Sequence, residues 1–103
     1  MNKHYVLATG ASDDLKAITR HTNKRWGEAQ CRAYIGQLEK AAKAVAKGEG
    51  AFKDLSSLHP LLRMARRGRH YIFCLPRPNA LPVILAIVHE RMDIMAHLRS
   101  RLE

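Results

Sequence analysis

Apolar residues recur every three to four positions through the first half of the chain, which is the spacing of a helix face. A short β-prone run at residues 5–7 precedes this pattern. The first helix is expected to have Ser12 as its N-cap and to end at Gly27, because glycine suits a left-handed cap position. A second helix is expected to begin at Glu28, where an apolar stripe faces charged residues. The first half therefore predicts one strand followed by an antiparallel helical hairpin.

The second half of the chain changes to a period of two. Two alternating runs, at residues 62–67 and 70–75, predict strands joined near Gly68. The run at residues 83–88 has no polar face, which indicates a strand covered on both sides and favours it as the centre of the sheet. Asp93 then suits the N-cap of a short last helix.

The two halves together predict a single α+β domain over residues 1–103, with the order β-α-α-β-β-β-α. The N-terminal helical hairpin is expected to pack on one face of a mainly antiparallel four-stranded sheet and to leave the other face free, with a short C-terminal helix at the end. A chain of this length has room for one core and one functional surface.

The charge of the chain adds a functional indication, because 18 lysines and arginines stand against 9 acidic residues and give a net charge of +9. Five arginines and no acid lie between Arg63 and Arg77. Such a surface fits an acidic polypeptide, a nucleic acid or a protein already holding DNA. Strand alternation should place Arg63 and Arg67 on one face and Arg66 on the other. The alternative is that the charges only prevent edge-to-edge association of the sheet.

Several function classes lack a signature in the sequence. The six histidines show no metal-ligand spacing, and motifs for nucleotide binding and acyl transfer are absent, so we expect neither a metal nor a cofactor. Cys31 and Cys74 fall within apolar patterns and are interpreted as packing thiols. The N-terminus has no apolar signal-peptide region, and no apolar run is long enough to cross a bilayer. We expect a cytoplasmic protein that makes no membrane contact.

A catalytic interpretation rests on the exit of the buried strand, where His89 and Arg91 could meet Arg63 or Arg66. An imidazole beside guanidinium groups can promote RNA cleavage, in which the 2′-hydroxyl of the RNA attacks the adjacent phosphate and the cations hold that phosphate. The competing interpretation is structural: Asp93 caps the last helix and His89 bonds locally.

The motifs also match a known family in their order and spacing. The chain resembles the ParE branch of the RelE/ParE toxin superfamily, the toxin halves of bacterial toxin–antitoxin modules, and is especially similar to ParE toxins of plasmid stabilisation systems. The resemblance extends from residue 5 to about residue 98. The motifs that carry it most clearly are Trp26-Gly27, Phe52-Lys53-Asp54, Leu62-Arg63-Met64-Ala65-Arg66, His70-Tyr71-Ile72-Phe73-Cys74-Leu75-Pro76 and Ile87-Val88-His89-Glu90-Arg91-Met92-Asp93.

The resemblance implies the predicted fold and an activity that is not enzymatic. ParE-like toxins poison DNA gyrase by stabilising the cleaved gyrase–DNA complex, which blocks replication. A ParD-like antitoxin, with a ribbon-helix-helix N-terminus and a flexible C-terminal segment, neutralises them. From charge complementarity we expect that segment to be acidic and to fold on binding. We expect DNA contact only indirectly, through gyrase or the antitoxin.

Candidate contact residues are assigned to each partner. For the antitoxin they are the basic strand and the aromatic residues of the hairpin: Arg63, Arg66, Arg67, Arg69, Trp26 and Tyr34. For gyrase they lie on the last helix: Met95, His97, Arg99 and Arg101.

The alternative within the same superfamily is a RelE-like ribosome-dependent mRNA interferase, which uses basic residues with a Tyr or His near the C-terminus. Here Arg63 or Arg66 could hold a phosphate together with Arg91, and His89 or His97 could transfer protons, but no tyrosine follows Tyr71. A DNA-binding repressor is a third class, and three consecutive strands after the helices argue against it.

Overall fold

The helical periodicity of the first half produces two long helices, and the alternation of the second half produces a sheet. A computed structural model describes residues 4–102; residues 1–3, on which part of the signal-peptide prediction depends, and residue 103 lie outside the described residues. The elements are β1 (Val6–Leu7), α1 (Thr9–Trp26), α2 (Glu28–Lys47), β2 (Lys53–Asp54), β3 (Arg63–Arg67), β4 (His70–Arg77), β5 (Ala80–His89) and α3 (Ile94–Leu102).

The sheet has five strands in the order β1-β5-β4-β3-β2, so the prediction of four strands was wrong by one. The additional strand is β2, which pairs antiparallel with β3 over two residues and is too short to leave a periodic pattern. β1 runs parallel to β5, and the other pairs are antiparallel. β5 is an interior strand buried from Ile84 to Val88, as predicted, although β4 holds the central position.

The core has two parts, one on each face of the sheet. The hairpin covers one face, where Leu38 and Val45 of α2 pack with Ile72 and Ile84. The prediction that the other face is free was wrong, because Leu98 of α3 covers a second cluster there. That cluster includes fully buried Leu62, Phe73 and Val88. Large apolar side chains on both faces of β4 and β5 require cover on both faces.

The helix ends follow the sequence in part. The Ala96 N–H donates to Asp93 Oδ1 at 3.1 Å, so the predicted cap of α3 is confirmed. Gly27 ends α1 as predicted and has a positive φ of 88°, but its ψ of 171° is not that of the left-handed helical cap. Ser12 is not an N-cap, because α1 begins at Thr9 and has no side-chain cap. No helix within residues 4–102 is both long enough and apolar enough to cross a membrane.

An ion pair between Asp14 of α1 and Arg101 of α3, which we call the edge clasp, lies beside β5. β1 pairs with β5 only as far as Ile84, and Leu85 is the extra residue of a bulge there. Beyond that point the Ile87 N–H donates to Asp14 Oδ2 at 3.0 Å, and Arg101 donates to the Leu85 carbonyl at 2.9 Å. Arg101 also donates to both Asp14 oxygens, at 2.8 and 2.9 Å. The clasp therefore satisfies backbone groups that a longer first strand would have paired.

Candidate functional site

The arginines of β3 are divided between the two faces of the sheet, as alternation predicts. Arg63 donates to the Val45 carbonyl at 3.0 Å, near the end of α2, and its guanidinium lies 5.0 Å from the ring centre of Phe52. Arg66 lies on the opposite face, where it donates to Glu90 at 2.9 Å and lies over the Tyr71 ring. The two side chains therefore do not act on one ligand atom together.

A groove of about 940 Å³ lies between the bend of the helical hairpin and the turn that joins β3 to β4. Its walls combine aromatic and cationic side chains, and the part of the chain that the structure describes contributes no acidic residue to its lining. The most prominent lining residues are Arg25, Trp26, Tyr34, Arg69 and Arg91. The groove is thus both apolar and positively charged.

Gly68 allows the two sides of the groove to approach each other. Its φ is 58°, and a Cβ at this position would lie 2.7 Å from the Tyr34 ring. Both the left-handed backbone and the close contact exclude a side chain here. The turn predicted near Gly68 therefore also fixes where α2 meets the sheet.

The floor of the groove is a hydrogen-bonded chain of aromatic rings. The Tyr34 hydroxyl accepts from the Arg69 N–H at 3.3 Å and lies 2.6 Å from His70 Nδ1, within hydrogen-bond distance. The His70 and His89 rings meet edge to face with their centres 5.1 Å apart. His89 Nδ1 accepts from the Arg91 N–H at 3.1 Å. The local bond predicted for His89 by the structural interpretation is confirmed.

Burial of the floor keeps His70 uncharged. Loss of solvent, followed by the repulsion of His89, lowers the pKa of His70 to about 4, against a smaller opposing effect of Glu90. Burial likewise raises the pKa of the Tyr34 hydroxyl. His70 and Tyr34 are therefore uncharged at physiological pH, between the cationic walls of the groove.

This lowered pKa predicts a pH-dependent stability that belongs to His70. Between pH 6.5 and 4 the unfolded chain binds a proton at His70 that the folded chain does not, so the free energy of unfolding falls as the pH drops through this range. The contribution is complete above pH 6.5, and about 2 kcal/mol of it is expected to be lost by pH 5. Urea unfolding at pH 7.5, 6 and 5 should show a shallower decline for His70→Gln than for the wild type. Parallel declines would contradict the prediction.

Trp26 is the most exposed feature of the groove. Its side chain is 57% exposed, and the Arg25 guanidinium lies 5.1 Å from the centre of its ring. An exposed tryptophan at the rim of a cavity is typical of a residue that anchors a binding partner.

The structure brings together half of the predicted antitoxin contacts. Trp26, Tyr34 and Arg69 all line the groove, and the Arg67 carbonyl lies 3.4 Å from the Tyr34 hydroxyl on its floor. Arg63 and Arg66 lie outside the lining, in the contacts described above.

Most of the lining residues were not among the predicted antitoxin contacts, and Arg25, His70 and Arg91 are three of these. Arg25 could have been predicted from the sequence as a groove residue, because it directly precedes Trp26. Nothing in the sequence showed that His70 would lie under the hairpin, because it reads as an ordinary strand residue.

The predicted gyrase contacts differ in their accessibility on α3. Met95 is 40% exposed, Arg99 is exposed and His97 is half-buried. Arg101 is held in the edge clasp, where its hydrogen bond to Asp14 raises its pKa further above the usual range. Met95 and Arg99 are therefore the candidates whose side chains are free to meet a partner.

The structure places the four residues of the nuclease interpretation in different contacts. His89 and Arg91 line the groove, whereas Arg63 contacts the end of α2 and Arg66 contacts the opposite face of the sheet. No group of three or more potential metal ligands is assembled among residues 4–102.

Both cysteines are buried and free, in agreement with their interpretation as packing residues. Burial raises the pKa of the Cys74 thiol to about 11, and Cys31 Sγ donates to the Thr19 carbonyl at 3.3 Å. A thiol with a raised pKa is a poor nucleophile.

Comparison with known proteins agrees with this architecture. A family model described as the ParE toxin of the type II toxin-antitoxin system, parDE, matches residues 5–94. Toxin ParE of Escherichia coli is 50% identical over 99 residues, which cover 96% of each chain. Toxin ParE1 of Caulobacter vibrioides is 28% identical over 96 residues, which cover 93% of this chain and 98% of that one.

The fold has a solved relative as well. A structure titled as the chromosomal ParDE TA system from P. aeruginosa superposes with a TM-score of 0.63 at 20% identity, over 84% of this chain and 94% of that one. This likeness supports the fold, and the sequence matches over nearly the whole chain support the family. The chain belongs to the ParE toxin family of type II toxin–antitoxin systems.

Proposed function

We propose that the protein is a gyrase poison neutralised by a ParD-like antitoxin. In this proposal it stabilises the cleaved gyrase–DNA complex, blocks replication, and is inactive while an acidic segment of the antitoxin occupies the groove. The family assignment supports the toxin activity. The single observation that carries the antitoxin site is the groove itself, in which an exposed tryptophan stands among arginines without a lining acid.

The groove suits an acidic segment that folds on binding. Arg25 and Arg91, which form no ion pair within residues 4–102, can attract carboxylates before contact, which raises the association rate. Arg69 adds to this charge, although it lies 3.6 Å from Glu90. Trp26 and Tyr34 supply apolar area, which must offset the ordering of a flexible segment. The neutral His70 allows an apolar side chain of the partner to reach the floor without facing a buried charge.

Gyrase contact is assigned to α3, and the protein is proposed to act without catalysis. Met95 and Arg99 present an apolar and a cationic group on the exposed side of this helix. The separation of Arg63 from Arg66 supports the non-enzymatic alternative over the mRNA interferase. Because gyrase acts on the chromosome, the proposed location is the cytoplasm.

The proposal predicts linear plasmid in a cleavage assay with purified gyrase, supercoiled DNA and ATP. Linear DNA covalently attached to gyrase should form only when the toxin is present, and an acidic antitoxin segment should suppress it. The double variant Met95→Ala, Arg99→Ala should poison at least about tenfold less, because it removes the exposed apolar and cationic side chains assigned to gyrase contact.

The matched control changes equally exposed residues elsewhere, Lys40→Ala with Leu81→Ala, and should poison normally. A parallel assay with translating ribosomes tests the alternative. Cleaved mRNA with gyrase unaffected would replace the proposal with the mRNA interferase.

A further inference from the structure

The outer side of α1 carries a row of cations, which we call the α1 stripe: Lys16, Arg20 and Lys24. All three side chains are exposed, and none forms an ion pair within residues 4–102. No acid occurs at residues 15–27. The acids that precede the stripe on α1 are Asp13 and Asp14, and Asp14 is held by Arg101 in the edge clasp. The stripe is therefore a surface of uncompensated positive charge.

Helical geometry separates the α1 stripe from the groove. Four residues advance about 6 Å and turn about 40°, so the stripe is about 12 Å long and covers an arc of about 80°. The groove-lining residues His21, Arg25 and Trp26 fall at about 140° to 280° from Lys16 on the same wheel. The stripe and the groove thus face different directions, and one can be occupied while the other is free.

The like charges of the α1 stripe destabilise α1 as an isolated helix. Like charges four residues apart destabilise a helix, and both intervals of the stripe have this spacing. On α2, by contrast, Arg32 is paired with Glu28 one turn away. An anion bound from outside would relieve the repulsion along α1.

The composition of the stripe distinguishes between anionic partners. A protein partner normally requires an apolar centre in the interface. Within the described residues, Trp26 is the only exposed large apolar side chain of α1, and it faces the groove. A nucleic acid backbone requires no apolar centre, since regularly spaced cations and released counterions supply the affinity.

We propose that the α1 stripe binds the phosphate backbone of duplex DNA directly and without sequence preference. This goes beyond the proposed function, which needs no contact between toxin and DNA, and it revises the expectation that such contact is only indirect. On a gyrase–DNA complex the stripe would hold the toxin to the duplex beside the enzyme. Free toxin would bind DNA in the absence of gyrase.

The test uses a fluorescently labelled duplex of random sequence and the full-length toxin. Binding is measured by anisotropy between 50 and 200 mM salt for the wild type and for the triple variant Lys16→Gln, Arg20→Gln, Lys24→Gln. Loss of three phosphate contacts should reduce the slope of log affinity against log salt by about 3, and affinity at 50 mM salt by at least about 50-fold. The matched control is the triple variant on α2, Lys40→Gln, Lys43→Gln, Lys47→Gln.

Both triple variants lower the net charge equally, and all six positions are exposed. A difference in DNA binding between them therefore reflects where the charges lie and not how many are removed. The control should reduce the slope by less than about 1. Equal losses in the two variants would show diffuse attraction and overturn the proposal, as would a wild type that does not bind at 50 mM salt.

Polyglutamate serves as the second probe. If the α1 variant loses polyglutamate binding but keeps DNA binding, the stripe belongs to an acidic polypeptide and the proposal is wrong. In the control variant the melting temperature should be unchanged and gyrase cleavage should be normal. A failure of the DNA-binding proposal can then be distinguished from a failure of the proposed function.

Discussion

Arg101→Met is expected to lower the free energy of unfolding by about 2 to 3 kcal/mol. Removing one partner of a buried ion pair costs about 3 to 5 kcal/mol because the other charge stays behind without compensation. Here the side chains of Arg101 and Asp14 are 20% and 17% exposed, so residual solvent reduces the cost. The variant also removes the donor of the Leu85 carbonyl. Urea denaturation at neutral pH measures the change.

Arg99→Met is the matched control, because the same substitution two residues away removes an exposed arginine. Its effect should stay within about 0.5 kcal/mol. The double variant Asp14→Asn, Arg101→Met should recover part of the loss, since no charge is then left unpaired. A loss below about 0.5 kcal/mol for Arg101→Met would contradict the structural role of the edge clasp.

The edge clasp also affects how α3 variants are interpreted. Arg101 was assigned to the gyrase contacts together with Met95, yet its guanidinium holds α3 to Asp14 and to β5. A toxin that loses activity through Arg101→Met would be losing the position of the whole helix. Variants at Met95 and Arg99, whose side chains are exposed, are therefore the ones that test the proposed gyrase contact.

The extent to which sequence predicted this molecule depends on how local each feature is. The helical hairpin, the Gly27 bend and the Asp93 cap follow from periodicity and from short-range chemistry, and all are present. β2 left no pattern because two residues do not make a period. The edge clasp could not be predicted, because Asp14 and Arg101 are 87 positions apart and each has a local interpretation as a helix-terminus charge.

In the candidate site, too, local features could be predicted from the sequence and features that depend on tertiary packing could not. The sequence identified Trp26, Tyr34 and Arg69, which line the groove. Alternation along β3 also placed Arg63 and Arg66 on opposite faces correctly, but both were assigned to the antitoxin, and neither lines the groove. Which of those charges meets the hairpin depends on tertiary packing, since only the fold places the β3–β4 turn against α2.

Trp26→Ala is expected to weaken binding of the antitoxin by at least about 100-fold. A tryptophan at the rim of a cavity contributes about 2 to 4 kcal/mol to binding when a partner buries it, and Trp26 has more than half of its surface available for burial. Titration calorimetry with a ParD-like C-terminal segment measures the loss. The control Phe52→Ala changes a partly exposed aromatic residue outside the groove and should bind normally.

Charge reversal separates the electrostatic contribution of the same groove from its apolar anchor. Arg69→Glu with Arg91→Glu should lower the association rate and weaken its dependence on salt, because both arginines line the groove and attract the acidic segment before contact. Lys40→Glu with Lys43→Glu changes the net charge equally on exposed positions of α2 and should have a much smaller effect.

Trp26 is the single tryptophan of the chain, so its emission should shift to the blue when a tryptophan-free segment fills the groove. An unshifted emission on a fully bound complex would place the antitoxin elsewhere on the toxin, whatever the binding constants of the variants.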